Sequence, residues 1–159
     1  MANNKMHLLL WQQNMGHNLA AWRHPASRIN DFLTLDYLCD VARTAEAGKF
    51  DMIFFEDVMF TREAGGRYFG EVSINSMDPS ILIAALTSVT SRIGLAATYS
   101  TTYQEPEVLA RKFATLDHLS GGRVAWNVVT SDPRVARNFG AALHPDKELR
   151  YRKAADTID

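Results

Sequence analysis

The sequence has few of the features that mark secreted, membrane-spanning or nucleic-acid-binding proteins. Its single cysteine, Cys39, cannot form an internal disulfide, and we expect it to fill a small buried space within a helix. The first residues lack the apolar core of a signal peptide, and no segment approaches the roughly 20 apolar residues that cross a bilayer. The 17 basic and 18 acidic side chains give a formal net charge of -1, without the basic excess of a nucleic-acid binder. These absences predict a cytoplasmic protein that binds neither a membrane nor nucleic acid.

Several common catalytic motifs are missing as well. No Gly-x-Gly-x-x-Gly sequence follows a strand-like segment, so no dinucleotide site is predicted. The sequence contains neither a Gly-x-Ser-x-Gly motif nor a phosphate-binding loop, which argues against hydrolases and nucleoside triphosphatases. The five histidines include no i, i+4 pair and no His-x-His on a strand, so we predict no metal site.

Four apolar segments, each followed by a helix-like pattern, predict an α/β fold with a parallel sheet. The segments are Met6 to Trp11, Phe50 to Asp57, Ile93 to Ser100 and Arg123 to Thr130. They are nearly continuous apolar runs, which is typical of strands that are buried on both faces. Between them apolar residues recur with a period of about 3.6, which predicts helices. Four βα units fill the chain, which leaves either a small open α/β domain or the first half of a barrel that needs roughly 200 residues or more.

Local signals predict where the helices begin and end. We expect Asn30 or Asp31 to cap the first helix and Gly48 to end it. Asp78-Pro79 opens the second helix with a capping side chain and a proline at the first helical position. Glu105-Pro106 opens the third helix, which Gly121-Gly122 ends, and a fourth is predicted from Leu149 to Asp159.

Polar side chains follow all four predicted strands, at the edge where parallel α/β folds bind their ligands. They are Gln12, Gln13 and Asn14 after the first strand, Glu56 and Asp57 after the second, Thr98, Ser100, Thr101 and Thr102 after the third, and Asn127, Thr130 and Ser131 after the fourth. Loops are polar in any case, but the repetition favours a binding site. Aromatic residues on or just past the strands pack the core, and they also suit a planar heteroaromatic ligand.

Two of these polar residues interrupt or end apolar runs, so each needs a partner. Asn127 lies within an apolar strand, where an unpaired amide costs about 1–3 kcal/mol. It bonds either to neighbouring backbone or to a ligand. Asp57 ends an apolar strand in the same way, and it serves either as a helix cap or ion-pair partner of an arginine, or in the binding site.

A series of motifs, in order and at characteristic spacing, resembles one known family. The motifs are Ala21-Trp-Arg-His-Pro25, Gly48-Lys-Phe-Asp51, Ile93 to Tyr103, Glu105-Pro106, Leu109-Ala-Arg111, Leu116 to Arg123, Trp126 to Ser131 and Ala136 to Gly140. The chain resembles the flavin-dependent monooxygenases of the bacterial luciferase-like superfamily, in the branch of nitrilotriacetate monooxygenase component A, EDTA monooxygenase and dibenzothiophene sulfone monooxygenase. The motifs cover nearly the whole chain.

The resemblance implies a TIM-type (β/α)8 barrel that binds reduced FMN (FMNH2) at the strand carboxyl ends. Such an enzyme oxygenates a small organic substrate with O2 through a flavin C4a-peroxide. It receives FMNH2 from a separate NAD(P)H:flavin reductase, which agrees with the missing dinucleotide motif. We also expect a homo-oligomer, because a half barrel leaves apolar faces without partners.

The resemblance also assigns cofactor-binding residues. In the family an aspartate that ends strand two and a threonine that ends strand three contact the flavin, which implies these roles for Asp57 and Thr98. The tyrosine of the family's His-x-x-x-Tyr segment contacts the phosphate side, and Tyr151 matches it. Asn127 is expected to line the pocket. The family histidine four residues before the tyrosine is Lys147 here, and His144 precedes it by seven, so either side chain could serve the phosphate.

Residues 1–159 are thus expected to form the N-terminal part of a single barrel domain, about its first four βα units, with the C-terminal half absent. The alternative is a truncated, catalytically silent remnant that acts as an assembly or binding module. The sequence does not identify the substrate, because similar enzymes use aminopolycarboxylates, sulfones, alkanes and sulfides.

Overall fold

The computed structural model describes residues 5–13, 18, 20–59, 63–64, 67–68 and 77–159. Its strands are β1 (Leu9–Gln12), β2 (Met52–Phe55), β3 (Glu63–Ala64), β4 (Arg67–Tyr68), β5 (Gly94–Ser100) and β6 (Val124–Val129). Its α-helices are α1 (Leu35–Ala47), α2 (Pro79–Thr87), α3 (Pro106–Ser120) and α4 (Lys147–Ile158), and 3-10 turns occur at Ala21–Arg23 and Pro133–Phe139. None of the described helices is long and apolar enough to span a membrane.

The main sheet has four parallel strands in the order β1-β2-β5-β6, and β3 pairs with β4 in a separate antiparallel hairpin. The spatial order of the parallel strands is their order along the chain. A doubly wound sheet reverses direction and creates a crevice at the reversal, whereas a barrel adds each new strand on the same side. The order therefore matches four successive βα units of a barrel wall.

The first two strands are shorter than the sequence predicts. β1 begins at Leu9 instead of Met6, because pairing starts only where Leu9 lies opposite Met52 of β2. β2 ends at Phe55, so Asp57 lies beyond its end. Before the ladder, Asp51 accepts a hydrogen bond from the Leu8 backbone N–H at 2.7 Å, which fixes the chain at the start of the pairing.

The helix ends follow the predicted signals, with two exceptions. Asp78 caps α2 ahead of Pro79, and α3 runs from Pro106 to the left-handed Gly121, at φ 69°. The predicted cap of α1 at Asn30 or Asp31 is wrong, because Thr34 caps α1 and the Asp31 carboxylate accepts a bond from Arg28 Nε at 2.7 Å. The fourth helix begins two residues before the predicted Leu149, capped by Asp146.

The hydrophobic core lies between one face of the sheet and helices α1 to α3. Ile53, Leu95, Ile83 and Leu109 are fully buried there, and Cys39 is buried as predicted. The expectation that all strands are buried on both faces holds for the central strand β5 but not for β1. Leu9 and Trp11 are 51% and 41% exposed, because β1 is an edge strand.

Charged side chains stabilise the amino-terminal edge of the sheet. The Arg123 guanidinium donates to the carbonyl oxygens of Ser120, Ile93 and Thr90 at 2.8, 2.9 and 3.2 Å. The Glu46 carboxylate accepts bonds from three consecutive backbone N–H groups, of residues 91–93, at 2.6–3.0 Å. In barrel folds residues at this edge serve stability, so the opposite edge is the place to search for a ligand site.

Candidate functional site

A cleft of about 730 Å³ opens at the carboxyl ends of β2, β5 and β6. Its lining is Trp11, Phe54, Glu56, Asp57, Val58, Met59, Thr98, Asn127, Val128, Val129, Thr130, Ser131, Asp132, Val135, Tyr151 and Ala154. All four residues predicted as cofactor-binding, Asp57, Thr98, Asn127 and Tyr151, are among them. Of the other polar residues that follow the predicted strands, Gln12, Gln13 and Ser100 to Thr102 do not line the cleft, and Asn14 lies outside the described residues.

Thr98 and Asn127 form a polar pair on the cleft side of the sheet. The two residues are opposite each other in the β5–β6 register, so their side chains lie on the same face. Asn127 Nδ2 donates to Thr98 Oγ1 at 3.1 Å. The partner of Asn127 is therefore a side chain and not neighbouring backbone. Because Nδ2 is the donor in this pair, the amide oxygen of Asn127 is the atom that accepts further bonds.

Asp57 lies just beyond β2, where it is half-buried in the wall of the cleft. Burial, and next the nearby carboxylate of Asp78, raise the pKa of Asp57 from 3.8 to about 6, while Lys112 acts in the opposite direction. Among the described residues, the charged groups that shift the pKa of Asp57 are thus Asp78 and Lys112, and no arginine is one of them. A carboxyl with a pKa near neutrality can accept or donate a hydrogen bond according to its protonation state.

An apolar surface lies beside these polar groups in the cleft. The rings of Trp11 and Phe54 meet edge to face, with centroids 6.3 Å apart. Val128 and Val135 continue the wall from β6 and the 3-10 turn after it. Apolar surfaces with a few convergent polar groups are typical of small-molecule sites. The described residues contain no group of three or more histidine, cysteine or acidic side chains placed to hold a metal ion.

Helix α4 closes one side of the cleft with Tyr151 and Ala154. Arg150 Nη1 donates to the carbonyl oxygen and to Oγ1 of Thr130, both at 3.1 Å, and Lys153 Nζ donates to the carbonyl oxygen of Thr102 at 3.0 Å. These bonds fix α4 to the loops that follow β5 and β6. The roles of Arg150 and Lys153 are not predictable from the sequence, because no spacing signal links a helix to loops some 20 and 50 residues earlier.

The two candidates for the phosphate contact have different surroundings. Lys147 Nζ lies 5.6 Å from the ring centroid of Tyr151, in the first turn of α4. His144 instead bonds through Nδ1 to the Tyr103 hydroxyl at 2.6 Å. Burial first, and the charge of Arg150 second, lower the pKa of His144, which favours a neutral ring. Only Lys147 therefore combines a positive charge with contact to the cleft residue Tyr151.

Asp132 is a third carboxylate in the lining of the cleft, after Glu56 and Asp57, but its charge is paired. Arg134 donates to both of its oxygens, at 2.8 Å each, and this pairing lowers the pKa of Asp132 to about 2. The carboxylate also caps the 3-10 turn that supports Val135. We therefore assign Asp132 to the support of the cleft wall.

Residues 7–159 match the luciferase-like monooxygenase family. The chain belongs to this family. It is 44% identical over 145 residues to an N-acetyl-S-(2-succino)cysteine monooxygenase of Bacillus subtilis (strain 168), an alignment with 91% of this chain and 32% of the relative. It is 36% identical over 167 residues to nitrilotriacetate monooxygenase component A of Aminobacter aminovorans, with 99% and 37% covered. The chain thus spans about a third of the length of the curated relatives it matches.

A solved structure is similar to this chain over nearly its whole length. The riboflavin lyase RcaE, described in complex with modified FMN and the substrate riboflavin, superposes with a TM-score of 0.85 at 32% identity, over 97% of this chain and 36% of the lyase. Together these matches confirm the resemblance inferred from the motifs, the barrel fold class and the assignment to the luciferase-like monooxygenase family.

Proposed function

We propose that this chain supplies one wall of the FMNH2 site in a two-component monooxygenase, which oxygenates a small organic substrate with O2. The observation that carries the proposal is the convergence of Asp57, Thr98, Asn127 and Tyr151 on one cleft. They come from four separate parts of the chain. When bound, the reduced flavin supplies the activation of O2, and the protein supplies orientation and shielding.

The cleft fits a flavin in size and chemistry. Its volume of about 730 Å³ lies within the roughly 300–1,000 Å³ of small-molecule sites. The wall around Trp11 and Phe54 offers apolar surface to a flat ring system, and the Thr98–Asn127 pair offers polar atoms at the edge of that surface. The chain's own residues thus provide both classes of contact that a flavin requires.

In this proposal each of the predicted cofactor-binding residues has a definite task. Asp57 bonds to the flavin ring system, and the hydrogen bond from Asn127 holds the Thr98 hydroxyl in a fixed orientation toward it. Tyr151 and Lys147 hold the phosphate side, and we favour Lys147 over His144 because His144 is bonded to Tyr103. The apolar wall excludes water from the reacting atoms.

The proposal includes two partners. An NAD(P)H:flavin reductase supplies FMNH2, which is supported by the absence of a dinucleotide motif and by the name "component A" of one relative. A second copy of the chain pairs with the sheet, because β1 and β6 are edge strands and the β1 side chains Leu9 and Trp11 are about half exposed. Light scattering that finds only monomers would contradict this second part.

The test is an anaerobic calorimetric titration of FMNH2 into the 159-residue chain. We expect saturable binding, which Asp57→Ala weakens by roughly tenfold or more, as for the loss of a bond to a charged group. Asp156→Ala, at an exposed position of α4, is the matched control and leaves the affinity unchanged. A folded sample that shows no saturable binding would contradict the proposal and favour the silent remnant.

A further inference from the structure

Three side chains form a hydrogen-bonded group behind the cleft, on the face of the sheet that meets the helices. Tyr99 of β5 is only 2% exposed, and its hydroxyl donates to the carboxylate of Asp78, the cap of α2. Lys112 Nζ, from α3, donates to the Tyr99 hydroxyl oxygen at 3.1 Å and lies 4.3 Å from the ring centroid. We call Asp78, Tyr99 and Lys112 the Tyr99 network. It links α2, β5 and α3.

The network has more charge than helix capping requires. Asp78 accepts bonds from the backbone N–H groups of Ser80 and Ile81 at 2.8 and 3.3 Å, which a serine or asparagine at the cap could also do. Partial burial of a carboxylate and an ammonium group carries a desolvation cost. The hydrogen bonds from Ser80 and Tyr99 overcome burial and hold the pKa of Asp78 below its ordinary 3.8. The carboxylate is therefore ionised at neutral pH.

The network is connected to the cleft through the backbone of β5. Successive side chains of a strand point to opposite faces, so Thr98 lies in the cleft while Tyr99 packs against the helices. The Tyr99 carbonyl oxygen also accepts a bond from Trp126 Nε1 of β6 at 3.1 Å. The network thus fixes the carboxyl ends of the two strands that hold the Thr98–Asn127 pair.

A second connection is electrostatic and acts on Asp57. The charged groups that act on Asp57 are Asp78, the cap of α2, and Lys112 of α3, and Glu56 is its neighbour along the chain. Asp78 raises the pKa of Asp57 and Lys112 lowers it. The two charged ends of the network therefore have opposite effects on one carboxyl of the cleft.

We propose that Asp78, Tyr99 and Lys112 are positioning residues, whose network holds the carboxyl end of β5 and sets the charge that Asp57 presents to the cleft. This proposal rests on the proposed function in one respect, namely that Asp57 contacts the reduced flavin. Lys112 keeps Asp57 more ionised, and Asp78 keeps it more protonated. The balance decides whether Asp57 accepts or donates a hydrogen bond near neutral pH.

The first measurement is a pH titration of Asp57 by ¹³C NMR of aspartate carboxyl groups in the 159-residue chain, with Asp57→Asn as the assignment reference. We expect Lys112→Met to raise the titration midpoint and Asp78→Asn to lower it, each by about half a unit, because a charge near a carboxyl shifts its pKa by roughly 1–3 units at contact and less beyond. Arg111→Met removes an exposed charge from the same helix and is the matched control. Asn retains the cap and the acceptor for Tyr99, so Asp78→Asn preserves the fold.

Opposite shifts in the two variants, with none in the control, would support the proposal. Shifts in the same direction, or shifts no larger than that of Arg111→Met, would overturn it. A purely structural role would change stability without moving the midpoint of Asp57. If Lys112→Met does not fold, Asp78→Asn alone decides, since an unchanged or raised midpoint in that variant contradicts the proposal.

The second measurement is FMNH2 binding as a function of pH in the same variants. We expect the midpoint of the pH profile to move in the same direction as the Asp57 titration. If no variant binds FMNH2 while the carboxyl midpoints shift as expected, the proposed function fails and the positioning role stands. If the chain binds FMNH2 with one pH profile in all variants, the positioning role fails and the proposed function stands.

Discussion

Replacing Asp57 by asparagine should stabilise the protein at neutral pH, although it removes a proposed flavin contact. Burial, and next the Asp78 carboxylate, raise the pKa of Asp57 from 3.8 to about 6. The ionised form of Asp57 is therefore less stable in the folded state than in the unfolded chain. At roughly 1.4 kcal/mol per pKa unit, the cost of the charged carboxylate approaches about 3 kcal/mol. Asparagine has nearly the same shape and carries no charge, so it removes this cost.

The sign of the pH dependence follows from the raised pKa. Below pH 3.8 the carboxyl is protonated in both states and costs nothing. Between pH 3.8 and about 6 the unfolded chain ionises first, so the free energy of unfolding of the wild-type chain falls. Above about pH 6 Asp57 is ionised in both states, and the full destabilisation of the folded state is present. The advantage of Asp57→Asn should thus be about 2 kcal/mol larger at pH 8 than at pH 4.

Urea denaturation of both proteins at pH 4, 5, 7 and 8 measures this difference, with the assay conditions otherwise fixed. Asp156→Asn serves as control, because its position on α4 is exposed and its charge should add little pH dependence. A difference between wild type and Asp57→Asn that is constant across the pH range would refute the reasoning. It would mean that Asp57 is solvated as in the unfolded chain.

Three further predictions concern the stability of single contacts. In a double-mutant cycle with Thr98→Val and Asn127→Ala, we expect a coupling energy of about 1 kcal/mol from their hydrogen bond, measured by urea denaturation; additive effects would contradict the pairing. Glu46→Gln should lower the free energy of unfolding by about 1 kcal/mol above pH 4.5, since it weakens three bonds from backbone N–H groups. Those bonds lower the pKa of Glu46, so the loss should vanish as the pH falls through that pKa, and a loss that persists in acid would argue against the charge. Lys49→Gly should raise the thermal midpoint by relieving about 1 kcal/mol of strain at φ 60°, whereas a lower midpoint would show that the side chain contributes more than the backbone costs.

The parts of the fold that the sequence predicted depend on short-range signals. Asp78-Pro79 places a cap and a proline at adjacent positions, and both act within one turn of the helix that they open. Gly121 ends α3 because its left-handed backbone suits glycine. The predicted cap of α1 was misplaced: Asp31, a good cap by residue type, is bonded to Arg28, and Thr34 accepts the capping bond from the Tyr37 backbone N–H instead. That choice depends on the path of the chain before the helix.

The location of the cleft was also predictable, since parallel strands bring their carboxyl ends to one edge. Asp57 follows one apolar run, Thr98 and Asn127 lie within two others, and the sheet order places all three beside one cavity. Their partners were not predictable. Asn127 bonds to Thr98 only because the β5–β6 register sets the two residues opposite each other. A shift of one residue in that register would turn one of the two side chains to the other face.

Thr98 and Tyr99 show why the remaining contacts of the site could not be predicted from the sequence. They are adjacent near the end of β5, and each carries a hydroxyl group, so the residue types do not distinguish their roles. The direction of the strand assigns Thr98 to the cleft and Tyr99 to the helices, where Asp78 and Lys112 arrive from positions 21 residues before and 13 residues after it. No fixed spacing marks such a group, because helix packing and not chain periodicity brings its members together. For this reason the residues that contact a ligand can be inferred from strand ends, while the residues that hold them in place become visible only once the helices are packed on the sheet.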